Sequence, residues 1–216
     1  MNILIIDPAS STGYCLYKFN ESDASVDIIS WGFIEVYNDT DYDGDRYVEY
    51  RKNIKQLIEE HDVKMVGVED YFFSKMSPQG STLNCAYRAM VHLVCREVGI
   101  HYDILNISLW KKFINGTSKA TKLQKSKWGK EPAKKLMTQE SLWLKWNIRF
   151  PNHSISKKTG KPIKFRYDIV DAVAMAIFHA SIYLHAKSIS YNVNVCDDHD
   201  WKKIPKGTYD YGGINE

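Results

Sequence analysis

Two short apolar runs in this 216-residue chain each end at an acidic residue, and this pattern restricts the fold more than any other feature. Asp7 follows the run Ile3–Ile6, and Glu69 follows the run Met65–Val68. Short apolar runs that stop at a polar residue are typical of buried strands. Because parallel strands bring their carboxyl ends to one edge of a sheet, the two carboxylates are expected to lie side by side.

A third apolar segment carries two more acids. Asp168 and Asp171 are three residues apart, so they share one face of a predicted helix. All residues at 172–178 are apolar, so every face of that helix is apolar, which indicates that the helix is buried. A buried carboxylate must be protonated, paired with a cation or bound to a metal. For Asp168 alone a helix N-cap is the alternative. The four acids together favour one metal site, an arrangement typical of nucleases.

The order of the predicted elements indicates an α/β fold. Strands at residues 2–7, 14–19 and 26–36 predict an antiparallel three-strand meander. After a helix at about 47–61, the chain alternates between strands and a helix in the manner of parallel βαβ units. These elements are a strand at 63–69, a helix at about 80–98 and a strand at 101–107.

Helices and irregular segments are predicted in the second half. Ser108 is expected to cap a short helix that stops before Gly116. Pro132 suits the first turn of a helix that runs to about Trp146, and a final helix starts near Asp168. Residues 150–164 are predicted to form a loop.

The composition favours one domain with a sizeable core, since 44% of the residues are hydrophobic. We expect this domain to cover residues 1–188, with an exposed Lys-rich insertion at about 115–131, and a tail to occupy residues 189–216. There is no pattern of an export signal or a membrane span, and the four cysteines form no CxxC pair. These features predict a cytoplasmic protein that does not contact membranes.

The net charge of +3 conceals a strong asymmetry along the chain. Residues 110–166 contain 16 Lys and Arg residues but only two acids, whereas the rest of the chain contains 13 basic and 24 acidic residues. A solvated Lys-rich face is the simpler explanation. Interleaved aromatic residues instead favour a surface that binds phosphates and stacks on bases. These aromatic residues are Trp110, Phe113, Trp128, Trp143, Trp146 and Phe165.

Four segments of the chain resemble, in order, the motifs of the RuvC family of Holliday-junction resolvases, over about residues 2–185. The resemblance implies a ribonuclease H-like fold, in which a mixed sheet of an antiparallel three-strand meander plus parallel strands is flanked by helices. The segments are the opening motif at 5–14, the second motif at 68–72 with its following helix at 82–88, the basic segment at 109–116, and the closing DxxDAxAxA helix at 168–176.

The same resemblance implies an activity and a site. It implies a homodimer that binds branched DNA and cuts four-way junctions by two-metal hydrolysis, which leaves 5′-phosphate and 3′-hydroxyl ends. Asp7, Glu69, Asp168 and Asp171 become the catalytic metal ligands. An all-oxygen ligand set suits two Mg²⁺ ions, with Mn²⁺ as a substitute.

Residues for DNA binding are also expected. Phe72 stands where the family places an aromatic residue that enters the junction, and Lys134 or Lys135 matches a phosphate-binding lysine. The full expected set is Phe72, Lys111, Lys112, Lys119, Lys122, Lys134 and Lys135. The insertion, and Ala9 in place of the family's glycine, favour a phage or viral relative, for which the compartment is the host cytoplasm.

Two alternatives stay open at this point. One is a related ribonuclease H-like nuclease that acts on flap, branched or packaging DNA. The other is a junction-binding module that has lost its chemistry, although the presence of all four acids argues against it. His179, on the same predicted helix as Asp171, is expected to be a packed core histidine rather than a ligand.

Overall fold

The protein's structure, a computed structural model, describes residues 1–9, 11–36, 43–70, 78–151, 153–155 and 160–191. Along this length three strands come first, strands and helices then alternate up to Asn115, and helices with short strands follow. The strands are β1 (Asn2–Asp7), β2 (Ser11–Asn20), β3 (Ser25–Glu35), β4 (Val63–Glu69), β5 (His101–Leu105), β6 (His153–Ile155), β7 (Pro162–Lys164) and β8 (Ser188–Tyr191). The helices are α1 (Asp43–Glu60), α2 (Pro78–Val98), α3 (Ile107–Asn115), α4 (Lys122–Trp128), α5 (Lys130–Trp146) and α6 (Asp168–Tyr183).

Six of the strands form one mixed sheet in the order β5-β4-β1-β2-β3-β8. The first three strands form the antiparallel meander. Strand β4 pairs in parallel with β1, and β5 pairs in parallel with β4. The expected ribonuclease H-like arrangement of a meander plus parallel strands, flanked by helices, is therefore confirmed.

Each face of the sheet is covered by a separate group of helices. Side chains alternate between the faces with a period of two. Ile3 and Ile5 of β1 pack into a core with α3, α5 and α6, whereas Leu4 and Ile6 pack into a second core with α1 and α2. Asp7 continues the odd-numbered series, so its side chain lies on the α6 face.

Several boundaries differ from the expected ones for local reasons. The cap of α3 is Asn106 and not Ser108, because the Asn106 side chain accepts hydrogen bonds from the backbone N–H groups of Ser108 and Leu109. Gly116 ends α3 in the left-handed conformation at φ 72°, which glycine adopts without strain.

Regular structure also occurs where irregular segments were expected. The Lys-rich insertion contains α4, which begins with a capping box between Thr121 and Gln124. Strands β6 and β7 pair within the predicted loop. Strand β8 pairs in parallel with β3, so the sheet continues to Tyr191.

In the parts of the chain that the structure describes, no helix has both the length and the apolar character needed to cross a membrane.

Candidate metal centre

The first two acids are placed by the parallel pairing of β1 with β4. Ile6 is opposite Val68 in this pair, so Asp7 and Glu69 leave the same edge of the sheet on adjacent strands. Glu69 is also an odd-numbered residue of its strand, where Gly67 lies against Ile5 of the α6-side core. The expectation that these strand ends lie side by side is confirmed.

Gly13 brings the other two acids close to Asp7. It is opposite Asp7 in the β1–β2 pair. A Cβ atom on Gly13 would lie 2.0 Å from the carbonyl oxygen of Asp168 and 2.2 Å from its carbonyl carbon. The first residue of α6 therefore rests on the bare backbone of β2, next to the end of β1.

The first turn of α6 shows that Asp168 does not cap the helix and where Asp168 and Asp171 lie. The N-cap is Tyr167, which makes no side-chain capping bond, and Asp168 is the first residue of the helix. The alternative that Asp168 is an N-cap is therefore wrong. Between Ile169 and Ala180 every residue is buried except Asp171, which is partly exposed. Both acids lie in the first turn, where the helix dipole favours negative charge.

The acids interact electrostatically. Burial raises the pKa of Asp7 well above its ordinary value, and the charges of Glu69, Asp171 and Asp168 raise it further. Burial likewise raises the pKa of Asp171 to about 7, with Glu69 and Asp168 adding to the effect. Burial also raises the pKa of Glu69. These mutual effects place all four carboxyl groups in one cluster, which we call the acidic cluster: Asp7, Glu69, Asp168 and Asp171.

Positive charge and hydrogen bonds oppose these shifts. The Lys111 ammonium lowers the pKa of Asp7, Glu69 and Asp171. A hydrogen bond between the side chains of Asp7 and Glu69 lowers the pKa of Glu69. This bond and the nearby ammonium thus offset part of the repulsion among the like charges of the acidic cluster.

The chemistry of the cluster suits a divalent cation. Its donors are all carboxylate oxygens, which Mg²⁺ and Mn²⁺ prefer over the nitrogen and sulfur ligands of zinc. Among the residues that the structure describes, no three Asp, Glu, His or Cys side chains are gathered closely enough to hold an ion as they stand.

The expected DNA-binding lysines differ in their distance from the acidic cluster. Lys111 and Lys135 are close enough to affect the pKa of Asp171, and the Lys135 ammonium also lies 5.6 Å from the ring centroid of Tyr167. Lys112, Lys119 and Lys122 are exposed on α3 and in the insertion. Phe72 and the side chain of Lys134 lie outside the described residues, so their roles stay predictions.

The expected aromatic stacking surface is wrong for at least two of its members. Trp110 and Phe165 are buried in the α6-side core, with 0% and 3% of their surface exposed. Phe113, Trp128 and Trp146 are partly buried and pack against the same core. These aromatic side chains of the basic segment thus belong to the core or pack against it.

Trp110 instead contacts the acidic cluster, which sequence spacing did not reveal. Its indole Nε1–H donates a hydrogen bond of 2.9 Å to Oε1 of Glu69. The contact joins α3 to the end of β4, two elements that are distant in sequence. Its only signal in the sequence is the position of Trp110 directly before Lys111.

Asp70, the residue after Glu69, does not belong to the acidic cluster. Its carboxylate accepts a hydrogen bond of 2.7 Å from the Arg88 guanidinium on α2. Adjacent residues of a strand point to opposite faces, so Asp70 lies on the α1–α2 side.

His179 is a fully buried core residue, as predicted. Its Nδ1 lies 2.5 Å from the Tyr17 hydroxyl, and its Nε2 lies 2.9 Å from Oδ2 of Asp103. Burial lowers the pKa of His179, although Asp103 opposes this effect. Both ring nitrogens therefore have protein partners, and the histidine holds α6 to β2 and β5.

Comparisons with known proteins agree with this geometry. A family model described as "Crossover junction endodeoxyribonuclease RuvC" matches residues 3–131. A crossover junction endodeoxyribonuclease RuvC from Sulfurovum sp. (strain NBC37-1) is 29% identical over 181 residues, which are 83% of this chain and 94% of that protein.

Solved structures share the fold. T. thermophilus RuvC in complex with Holliday junction substrate matches with a TM-score of 0.60 at 14% identity, over 86% of this chain and 96% of that one. A second Thermus thermophilus RuvC structure matches with a TM-score of 0.57 at 15% identity, over 86% and 98% of the two chains. With a family model that spans more than half of its length, this chain belongs to the RuvC family of crossover junction endodeoxyribonucleases, metal-dependent hydrolases of DNA.

Proposed function

We propose that the acidic cluster holds two Mg²⁺ ions and that the protein resolves four-way DNA junctions by hydrolysing phosphodiester bonds. The observation that carries this proposal is the convergence of four carboxylates from β1, β4 and α6 at one edge of the sheet, where their charges act on one another. When bound, Mg²⁺ ions in such a site polarise the scissile phosphate and lower the pKa of an attacking water molecule. The products are expected to be 5′-phosphate and 3′-hydroxyl ends.

The protein's own residues have three tasks in this reaction. The four carboxylates would hold the cations, whose positive charge offsets the repulsion among these acids. Lys111 and Lys135 provide positive charge beside the acids and so favour the approach of a phosphate. The close packing of Gly13 against Asp168 keeps the acids of α6 at a fixed distance from Asp7.

We assign the remaining DNA contacts on charge and position. Lys112, Lys119 and Lys122 are exposed and can bind phosphates of the junction arms. Phe72 and Lys134 keep the roles that the family resemblance implies. We propose a nuclease domain at residues 1–188 and a tail at 189–216, with the qualification that β8 extends the domain's sheet to Tyr191. We place the reaction in the cytoplasm.

We further propose a homodimer, because symmetric resolution of a junction needs two cuts and each chain supplies one acidic cluster. Ile104 of the outer strand β5 and Tyr183 of α6 are exposed and offer a surface for the second copy. The Tyr183 hydroxyl, at the end of α6, donates a hydrogen bond of 3.3 Å to the carbonyl of Ile104 in β5, so the two residues adjoin. Ile104 and Tyr183 are each 40% exposed.

A set of three variants tests the proposed ligands. Glu69→Gln and Asp171→Asn should lose Mg²⁺-dependent cutting while junction binding, measured in EDTA, is retained or tighter, because negative charge near the phosphate is lost. Asp70→Asn is the matched control, since Asp70 pairs with Arg88 and not with the cluster. Cutting at the wild-type rate by Glu69→Gln would show that the acidic cluster is not the active site.

A further inference from the structure

We propose that Trp110 is a positioning residue for the metal centre, which fixes the orientation of Glu69 and the place of Lys111 through one indole ring. This inference rests on the proposed function, because it takes Glu69 to be a metal ligand. It assigns a task to a residue of the basic segment whose side chain cannot reach DNA, since Trp110 is 0% exposed.

Trp110 contacts the proposed ligand Glu69 directly. The Nε1–H group of Trp110 donates to Oε1 of Glu69 over 2.9 Å. Indole has a single donor and no acceptor, so this bond engages the whole hydrogen-bonding capacity of the ring. A carboxylate held at one oxygen has fewer orientations available to it.

The hydrogen-bond donor is held rigidly. Trp110 lies in α3, whose start is capped by Asn106 and whose end is fixed by Gly116. Ile114, one turn further along α3, is also fully buried. The indole therefore has little freedom to follow a rotating carboxylate, and the hydrogen bond restrains Glu69 rather than Trp110.

The same ring also carries a cation. The Lys111 ammonium lies 4.9 Å from the ring centroid of Trp110, within the range of a cation–π contact. The same ammonium acts on the charges of Asp7, Glu69 and Asp171. One indole thus sets the positions of a carboxylate at its edge and of a cation over its face.

The experiment replaces only the N–H group. Site-specific substitution of Trp110 by 3-benzothienylalanine keeps the shape of the ring but puts sulfur in place of N–H, and Trp110→Phe serves as a second variant. Trp128→Phe is the matched control, because the Lys127 ammonium lies 4.8 Å from the Trp128 ring in the same manner. Glu69→Gln is measured beside them. The readouts are Mn²⁺ binding by calorimetry without DNA, junction binding in EDTA, the melting temperature, and cutting as a function of Mg²⁺ concentration.

The benzothienylalanine variant should bind Mn²⁺ about 10-fold more weakly than the wild type, as is usual when a group that orients a metal ligand is lost. It should need a correspondingly higher Mg²⁺ concentration for half-maximal cutting, with the rate largely restored at saturating Mg²⁺. Junction binding in EDTA and the melting temperature should be those of the wild type, and Trp128→Phe should bind Mn²⁺ like the wild type.

Two results overturn the inference in distinguishable ways. If Glu69→Gln weakens Mn²⁺ binding but the benzothienylalanine variant does not, Glu69 is a ligand and Trp110 does not position it. If Glu69→Gln itself binds Mn²⁺ like the wild type, the proposed ligand set fails, and the role of Trp110 fails with it.

Discussion

Gly13 lies in direct contact with the backbone of Asp168, since a Cβ atom on this glycine would be 2.0 Å from the Asp168 carbonyl oxygen. Gly13 is also opposite Asp7 in the β1–β2 pair. A residue without a side chain therefore sets the distance between the acid of β1 and the acids of α6. The geometry of the acidic cluster depends on this close approach of two backbones.

Gly13→Ala should damage the site more than the fold. The added methyl group meets backbone atoms of α6, which cannot rotate away, so the helix start must shift. Overpacking of this kind costs roughly 1–3 kcal/mol of unfolding free energy. Junction cutting at saturating Mg²⁺ should fall by much more than the fraction of unfolded protein explains, as measured by urea unfolding and cleavage on the same sample.

Gly44→Ala provides the control for that substitution. No atom lies within 4 Å of a Cβ built on Gly44, which is in the first turn of α1. Alanine is the better helix former, so the protein should gain up to about 1 kcal/mol of stability and keep its activity. Equal cutting by the two alanine variants would remove Gly13 from the account of the site.

The stability of the metal-free protein should decrease as the pH rises. Burial raises the pKa of Asp171 from 3.8 to about 7, so between these values the folded protein holds a proton that the unfolded chain releases. The free energy of unfolding therefore falls with increasing pH across this window, and the full loss is reached above it.

Asp171→Asn should cancel this loss. In EDTA at pH 8 the variant should be more stable than the wild type by on the order of 1 kcal/mol, a value kept small because the carboxylate is partly exposed to solvent. At pH 4 the two proteins should unfold alike. Thermal unfolding in EDTA at both pH values measures the difference, and a wild type that is the more stable of the two at pH 8 would contradict the raised pKa.

The sequence predicts the site best where a proposed site residue also ends a strand that the local pattern reveals. The apolar runs before Asp7 and Glu69 predict the ends of β1 and β4, because a short apolar run that stops at a polar residue is typical of a buried strand. The bond between Trp110 and Glu69 was not predictable in this way, since it joins residues 41 positions apart through the packing of α3. Trp110 and Phe165 were assigned to a stacking surface because composition does not show which face of a basic segment is buried.

The buried side chains of His179 and Tyr17 should be coupled in their effect on the free energy of unfolding. His179→Leu leaves the Tyr17 hydroxyl without its partner at 2.5 Å, at a cost of about 1–3 kcal/mol beyond the change in packing. The double variant Tyr17→Phe with His179→Leu removes both polar groups and should recover part of this loss. Urea unfolding of the two single variants and the double variant measures the coupling. Additive losses would show that the two groups do not interact.

The exposed lysines of the insertion should contribute to the salt dependence of junction binding. Lys119, Lys122 and Lys125 are exposed, whereas Lys127 is 3.6 Å from Glu140 and is partly neutralised. Each phosphate contact adds about 0.9 to the slope of log affinity against log salt. Changing the three exposed lysines to Gln should therefore lower the slope by up to roughly three units.

A second triple variant separates local contacts from net charge. Lys18, Lys52 and Lys187 are equally exposed but lie outside the basic segment. Changing these three to Gln alters the net charge by the same amount and should leave the slope almost unchanged. If both triple variants lower the slope equally, the insertion makes no specific contact with DNA.

We propose that the acidic cluster cuts four-way junctions with the help of a divalent metal. The most direct measurement incubates the purified full-length chain with end-labelled four-way junction, flap and linear duplex DNA, in Mg²⁺ or in EDTA, and maps the cuts and their ends. We expect paired, symmetric nicks with 5′-phosphate ends on the junction, only in Mg²⁺. Cutting of linear duplex at the same rate, or cutting that persists in EDTA, would contradict it.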